Sequence, residues 1–160
     1  RYTLGPLIAQ SSRSAVYKAN CNTSGQDVAL KVSRLPDEFD WALISGRMSQ
    51  QETVAHRAIC RSIAFKPTEP MSLVSIWEFA TGPDIKNFFG SRKVSIPELL
   101  KIFIEIAEGL QSAHDCGVIH GDLSPTNVIL QNGAPKICGF SPLRQRYHSQ
   151  QTAMAGTATS

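Results

Sequence analysis

Long apolar runs are missing from this 160-residue chain. A bilayer-spanning helix needs about 18 consecutive apolar residues, so no membrane partner is expected. Charge of one sign is scarce as well: 16 Lys and Arg stand against 13 Asp and Glu, a net +3 at pH 7. The basic residues do not gather, which gives no reason to expect a nucleic-acid partner. Cysteine is limited to four residues, Cys21, Cys60, Cys116 and Cys138, without a Cys-x-x-Cys pair or a His at ligand spacing. That pattern argues against a zinc site and a disulfide framework, and makes the reducing cytoplasm the expected compartment. The opening Arg1-Tyr2-Thr3-Leu4 is neither a signal peptide nor an initiator methionine, and the chain reads as an excised or truncated piece of an intracellular protein. Against these absences stand 42% hydrophobic and 18% charged residues, enough for a buried core and too apolar for global disorder.

The first half reads as strands. Tyr2 to Ile8, Ala15 to Ala19, Asp27 to Val32 and Leu73 to Phe79 are short runs of β-branched, aromatic and aliphatic residues. Turn signals separate them at Ser11 to Ser14, Asn22 to Gly25 and Lys66 to Pro70, so an antiparallel meander is expected. One helix is expected between Asp37 and Ala55, where Phe39, Leu43, Met48 and Val54 recur at roughly helical intervals. The second half opens on a clearer signal. Ser95 followed by Glu98 forms a capping box with Pro97 in the first turn. Leu99, Phe103, Ile106, Leu110 and Ala113 then mark one face, widened by Ile102, Ile104 and Ala107, and Gly117 supplies the stop. Short apolar runs follow at Val118 to His120, Val128 to Leu130 and Lys136 to Cys138, the last two flanking a turn at Gln131-Asn132-Gly133. Residues 141–160 are rich in Ser, Thr, Gln and Ala and are expected to form a mobile loop.

Three stretches carry a resemblance. Val28-Ala29-Leu30-Lys31, His120-Gly121-Asp122-Leu123-Ser124-Pro125-Thr126-Asn127 and Lys136-Ile137-Cys138-Gly139-Phe140-Ser141 occur in the order, and on the element types, of the protein-kinase signature set. The chain therefore resembles the protein kinase superfamily, Ser/Thr-type, over nearly its whole length. The resemblance implies an α+β, two-lobed fold: a small lobe at 1–77, a hinge at 78–82, a partial large lobe at 83–140 and an activation-segment-like tail at 141–160. It implies an adenine site for ATP or ADP between Ile8, Val16 and Ala29 on one face and Ile129 on the other. Backbone groups of Glu78 and Ala80 would meet the base, Asp84 the ribose, and Trp77 would close the pocket behind it.

By the same resemblance Lys31 would hold the α- and β-phosphates, Asp122 would accept the proton of a substrate hydroxyl, and Asn127 would hold magnesium. The residues leave other readings open. Lys31 also fits a solvated strand end, Asn127 an Asx turn, and His120 a packed core histidine rather than a base. Ser/Thr preference rests on Pro125 and on Gly156-Thr157.

The departures set the expected function. The three glycines of a phosphate-covering loop fall on Ala9, Ser11 and Ser14. Counting back from His56-Arg57-Ala58-Ile59, the helix glutamate that should pair with Lys31 falls on Arg47, with Glu52 one turn further along. Gly139 stands where the metal-binding aspartate belongs; Gly121 and Ser124 replace an arginine and a lysine of the catalytic loop. Losing about 4 kcal/mol of transition-state stabilisation costs roughly a thousandfold in rate. The expected function is a pseudokinase that binds nucleotide and other proteins, with magnesium binding weak or absent. An active or weakly active Ser/Thr kinase is the alternative. On the sequence, Gly139→Asp with Arg47→Glu is the pair that would return activity to an intact scaffold. The helix at 96–116 is expected to expose an apolar patch, and Arg144, Arg146 and His148 form a small basic cluster beside candidate phosphorylation sites at Ser141, Tyr147, Ser149, Thr152, Thr157, Thr159 and Ser160.

Overall fold

A computed structural model of the chain describes residues 1–68 and 71–143. Five strands form one antiparallel sheet: Tyr2–Gln10 (β1), Ser14–Cys21 (β2), Asp27–Arg34 (β3), Ser62–Thr68 (β4) and Ser72–Glu78 (β5). Their order is β1-β2-β3-β5-β4, so the expected meander holds through β3 and then skips to β5. β4 departs from the sequence expectation, because Lys66, Pro67 and Thr68 belong to it rather than to a turn. Proline has no N–H to give a ladder, and β4 tolerates Pro67 because it lies on the sheet edge.

The pleat separates two sets of side chains on β3. Val28 and Leu30 are buried with Ala19 and Ile76 on one face. Ala29 and Lys31 alternate to the other, opposite Trp77 and Ser75 of β5.

The helix at Trp41–Thr53 (α1) starts where the Asp40 carboxylate accepts the Leu43 N–H at 3.1 Å. Its apolar stripe is thin: Phe39 and Leu43 are exposed, and only Ile44 and Gln51 of the helix are buried. The second half contributes Ile85–Ser91 (α2), Ile96–Asp115 (α3) and a hairpin of Val128–Gln131 (β6) and Ala134–Ile137 (β7). No strand forms at 118–120. At the start of α3 the Ser95 hydroxyl accepts the Glu98 N–H at 3.4 Å, whereas the Glu98 carboxylate turns to Arg92. Half of the expected capping box is therefore made.

The inward face of α3 is rotated from the expected stripe. Ile102, Glu105, Ile106, Gly109 and Ala113 are buried, while Phe103 and Ile104 face out. Gly109 explains the rotation. A Cβ there would lie 3.2 Å from the Ala58 methyl and 3.3 Å from Ile137 Cδ1, so the helix approaches the 58–60 segment and β7 through its smallest residue. The buried Glu105 carboxylate is met by Arg57 at 3.8 Å. The outward face carries Ile96, Leu100, Phe103 and Ile104, all about half exposed or more, which is the apolar patch expected from the sequence.

One core joins the two halves. Val54, Ile59 and Trp77 from the first half pack with Ile85, Ile102, Ile106, Val128, Ile137 and Phe140 from the second. Backbone hydrogen bonds reinforce the junction, Cys60 N–H to Ile137 O at 2.9 Å and Ile137 N–H to Ala58 O at 2.7 Å, and Leu130 N–H to Pro83 O at 2.8 Å ties the hairpin to the residue that follows the expected hinge. Residues 141–143 also depart from the expected loose tail. Ser141 and Pro142 are buried, and Leu143 packs against Leu35, Ile44 and Leu73. The basic cluster at 144–148, Gly156-Thr157 and the remaining candidate phosphorylation sites lie outside the described residues. Among the described residues no helix is long and apolar enough to cross a membrane.

Candidate functional site

A cavity of about 530 Å³ opens between the sheet and the β6–β7 hairpin, within the range that small ligands occupy. Of the residues singled out from the sequence, Ile8, Val16, Ala29, Lys31, Glu78, Ala80, Asp122, Asn127 and Ile129 all line it. Asp84 does not. Its carboxylate caps α2, accepting the Asn87 N–H and the Asn87 side-chain amide, each at 2.8 Å. The reason is local: an Asp preceding a helix satisfies an orphan N–H of the first turn, and here each of its oxygens accepts one hydrogen bond from Asn87.

Register places the upper wall. Val16 sits opposite Lys31 on β2, and Ala29 opposite Trp77 on β5, so one face of three strands presents these side chains to the cavity. Glu78 contributes through its backbone end, because its carboxylate pairs with Lys136 at 2.6 Å and accepts the Arg61 N–H at 3.2 Å. Its own N–H is taken by Arg61 O at 2.9 Å.

Trp77 closes the rear wall as its bulk suggests. It is buried, stands edge-on to Phe65 with centroids 5.5 Å apart, and borders a second void of about 10 Å³ beside Gln51, Val54 and Phe140. Both polar atoms of the Gln51 amide are buried without a partner among the described residues. An unpaired buried amide costs about 1–3 kcal/mol. Gln51→Met, which keeps the length and removes the amide, is accordingly expected to raise the melting temperature by about 3 °C. An unchanged or lower midpoint would show that the amide is satisfied in solution.

The loop between β1 and β2 is closed by its own hydroxyl. Ser11 Oγ accepts the Arg13 N–H at 3.3 Å and the Ser14 N–H at 3.1 Å. Those N–H groups are the ones a phosphate-covering loop would aim at its ligand, and here they are engaged internally.

The lower wall is a braced loop. The Asp122 N–H donates to His120 Nδ1 at 3.2 Å, which fixes the proton on Nε2, and Nε2–H then donates to Cys138 O at 2.8 Å. His120 is buried, with its ring 4.5 Å from that of Phe140, and so acts as a core strut. Asn127 also serves the loop. Its side-chain N–H donates to Asp122 O at 2.8 Å, and its backbone O accepts the Cys138 N–H at 2.8 Å.

Gly139 follows with φ +91°, and a Cβ built on it would lie 3.2 Å from both Cγ and Oδ1 of Asn127. Magnesium asks for several hard oxygens, preferably anionic. With glycine at 139 this point lacks an anionic ligand, and although the Asn127 amide oxygen is left over once its nitrogen donates to the loop, one neutral oxygen there does not make up the carboxylate-rich magnesium site of a kinase. Nor does α1 supply what the sequence lacks. Arg47 Nη1 donates to Pro142 O at 3.3 Å, burial lowers its pKa, and Glu52 is exposed and outside the cavity lining.

An antiparallel sheet with one flanking helix, a partial helical lobe, and a cavity between them lined by a strand lysine and a His-x-Asp loop define a protein-kinase-like fold. The family described as protein kinase domain matches residues 2–159, and the chain belongs to that family. Among curated relatives, a probable serine/threonine-protein kinase of Streptomyces coelicolor, SCO3848, is 28% identical over 99% of this chain and 25% of its own length. Probable serine/threonine-protein kinase PknB of Corynebacterium glutamicum is 29% identical over 99% of this chain and 26% of its own. STY46 of Arabidopsis thaliana, a serine/threonine-protein kinase, is 28% identical over 96% and 27%. The chain thus spans about a quarter of the length of these relatives. The crystal structure of Rad53 1-466 in complex with AMP-PNP superposes with a TM-score of 0.77 at 21% identity, over 88% of this chain and 38% of that one.

Proposed function

We propose that this chain is a catalytically impaired protein kinase domain, a pseudokinase, that binds ATP or ADP by its adenine and serves as a regulatory protein-interaction module. The observation that carries this reading is Gly139, which supplies no carboxylate where a metal ligand belongs and sits at φ +91°, a backbone conformation that strains a side chain. Ser11, by occupying the N–H groups of the β1–β2 loop, supports it. In this reading Ile8, Val16, Ala29 and Ile129 sandwich the base, backbone groups of Glu78 and Ala80 orient it, and Lys31 meets the phosphates. Magnesium contributes little. Protein partners, possible kinases among them, are part of the proposal, as is a cytoplasmic setting, which accords with four free cysteines.

A second reading has its own support. Asp122 and Lys31 line one cavity, and the relatives are named as Ser/Thr kinases. In an active kinase Asp122 would accept the proton of a protein hydroxyl as that oxygen attacks the γ-phosphate, while Lys31 would steady the phosphates.

Melting the chain with ATP, ADP or no nucleotide, each with and without magnesium, tests the choice, because a ligand raises the midpoint by mass action. The pseudokinase reading expects a nucleotide-dependent rise that magnesium does not enlarge. A rise that needs magnesium and is specific to ATP, together with phosphoryl transfer lost in Asp122→Asn, would replace it with the kinase reading. No shift with any nucleotide would remove nucleotide binding from the proposal.

A further inference from the structure

The floor of the cavity holds two cysteines that the sequence separates by 78 residues. Cys60 Sγ and Cys138 Sγ lie 3.0 Å apart, and both residues line the cavity. Their proximity follows from the backbone. Ile59 and Ile137 form a parallel bridge whose neighbours are these two cysteines, and the Cys60 N–H to Ile137 O bond fastens the same pair of segments. Alternation sends Ile59 and Ile137 into the core and the next residue of each segment to the opposite face. Neighbouring strands lie about 4.8 Å apart. That spacing falls inside the range of roughly 4.4–6.8 Å found between the Cα atoms of a disulfide. Cys138 is held further by its N–H to Asn127 O and by His120 Nε2 on its carbonyl, so little backbone movement is needed to join the sulfurs.

We propose that Cys60 and Cys138 form a reversible, peroxide-driven disulfide across the floor of the cavity. The two sulfurs are not equivalent. Cys60 is buried, and its thiol is pushed well above the usual range, first by the hydrogen bond it shares with Cys138 and then by desolvation. Cys138 is half-buried and reached through the cavity, so it meets the oxidant first. Its thiolate sulfur attacks one oxygen of hydrogen peroxide and the O–O bond breaks. The departing hydroxide takes up a proton and leaves as water, and Cys138 becomes a sulfenic acid. The Cys60 sulfur then attacks the Cys138 sulfur: the S–S bond forms, the S–O bond breaks, and the hydroxide leaves with the Cys60 proton as a second water. The two thiols give up two electrons in total, and the peroxide accepts both. An added dithiol reverses the change by exchange.

The bond would tie the 58–60 segment covalently to the residue preceding Gly139, and this inference does not depend on nucleotide binding. The test treats the full chain with hydrogen peroxide, blocks remaining thiols with iodoacetamide, and maps it by mass spectrometry after non-reducing digestion. Cys21 and Cys116 serve as internal controls. Hydrogen bonds to Ser24 and Thr23 bring the Cys21 thiol down to about 7, so it reports general thiol reactivity.

The expected result is a peptide pair joining Cys60 to Cys138, a mass lower by two hydrogens, and recovery of both thiols with dithiothreitol. The pair persists in a Cys21→Ser, Cys116→Ser variant and disappears in Cys138→Ser. Alkylation of both Cys60 and Cys138 after peroxide would overturn the proposal. So would conversion of Cys138 to a sulfinic acid without linkage, or linkage of either to Cys21 or Cys116. Mapping the unsubstituted chain decides the matter even if Cys138→Ser folds poorly.

Discussion

Gly82→Ala is expected to destabilise the domain by about 3 kcal/mol or more, lowering the melting temperature by on the order of 10 °C. Gly82 has φ +136°, a conformation an L side chain rarely takes, and a Cβ there would lie 2.2 Å from Leu130 O. That oxygen is backbone and cannot rotate away. Leu130 is itself fixed, since its N–H donates to Pro83 O at 2.8 Å and the adjoining Thr81 N–H donates to Gln131 Oε1 at 2.9 Å. Relieving the clash therefore means pushing β6 away from residues 81–83 and loosening the wall that carries Ile129. Thermal melting of the variant measures the loss, and a midpoint within a degree or two of the unsubstituted chain would show that residues 81–83 are not held as described.

Gly139→Asp is expected to destabilise by about 1–3 kcal/mol and to leave the response to magnesium unchanged. By sequence alone this substitution, with Arg47→Glu, looks like a repair. The geometry opposes it. At φ +91° the new Cβ would be strained and would stand 3.2 Å from the Asn127 side chain, which would have to give by a few tenths of an ångström and stretch its bond to Asp122 O. Changing Arg47 to Glu would also remove the donor that holds Pro142 O. The measurement is a melt of the variant with ATP, with and without magnesium. A lower midpoint and no added magnesium effect are expected. If magnesium newly raised the midpoint, the 138–141 segment would have to adopt a different backbone path, and the impairment would lie in the missing carboxylate alone.

The comparison between these two glycines marks what could be read from the chain and what could not. Lys31, Asp122 and Asn127 were legible because each sits in a short contiguous pattern that fixes its element, and all three line the cavity. Ile8, Val16, Ala29 and Ile129 came from the family resemblance rather than from the residues themselves, and they too line the cavity. The cap that Asp84 makes on α2 was not anticipated, because an Asp before a helix looks the same in sequence whether it caps that helix or faces a ligand. β4 was missed because proline signals a turn, and only the edge position found in the sheet order makes it a strand residue. The facing of α3 was misjudged at Phe103 and Ile104, since helical period alone does not reveal that Gly109 meets Ala58. Backbone sign at Gly139 and the meeting of Cys60 with Cys138 depend on long-range pairing and leave no local trace.

The stitching between the two halves bears on how the cleft can open. Residues 58–60 precede β4 in the chain, yet they are bonded to β7, and residues 81–83 are bonded to β6. Both connections end on the same small hairpin. In a rigid-body swing of the sheet, the hairpin and these two segments would stay together as a fixed pivot block. The rotation would then be absorbed where α1 hands over to residue 58, where residue 60 leads into β4, and just after β5. In such a swing the pivots would lie near Cys60 and Phe79, so the β1–β2 loop, on the side of the sheet farthest from them in strand order, would sweep the longest arc while the floor of the cavity would scarcely move.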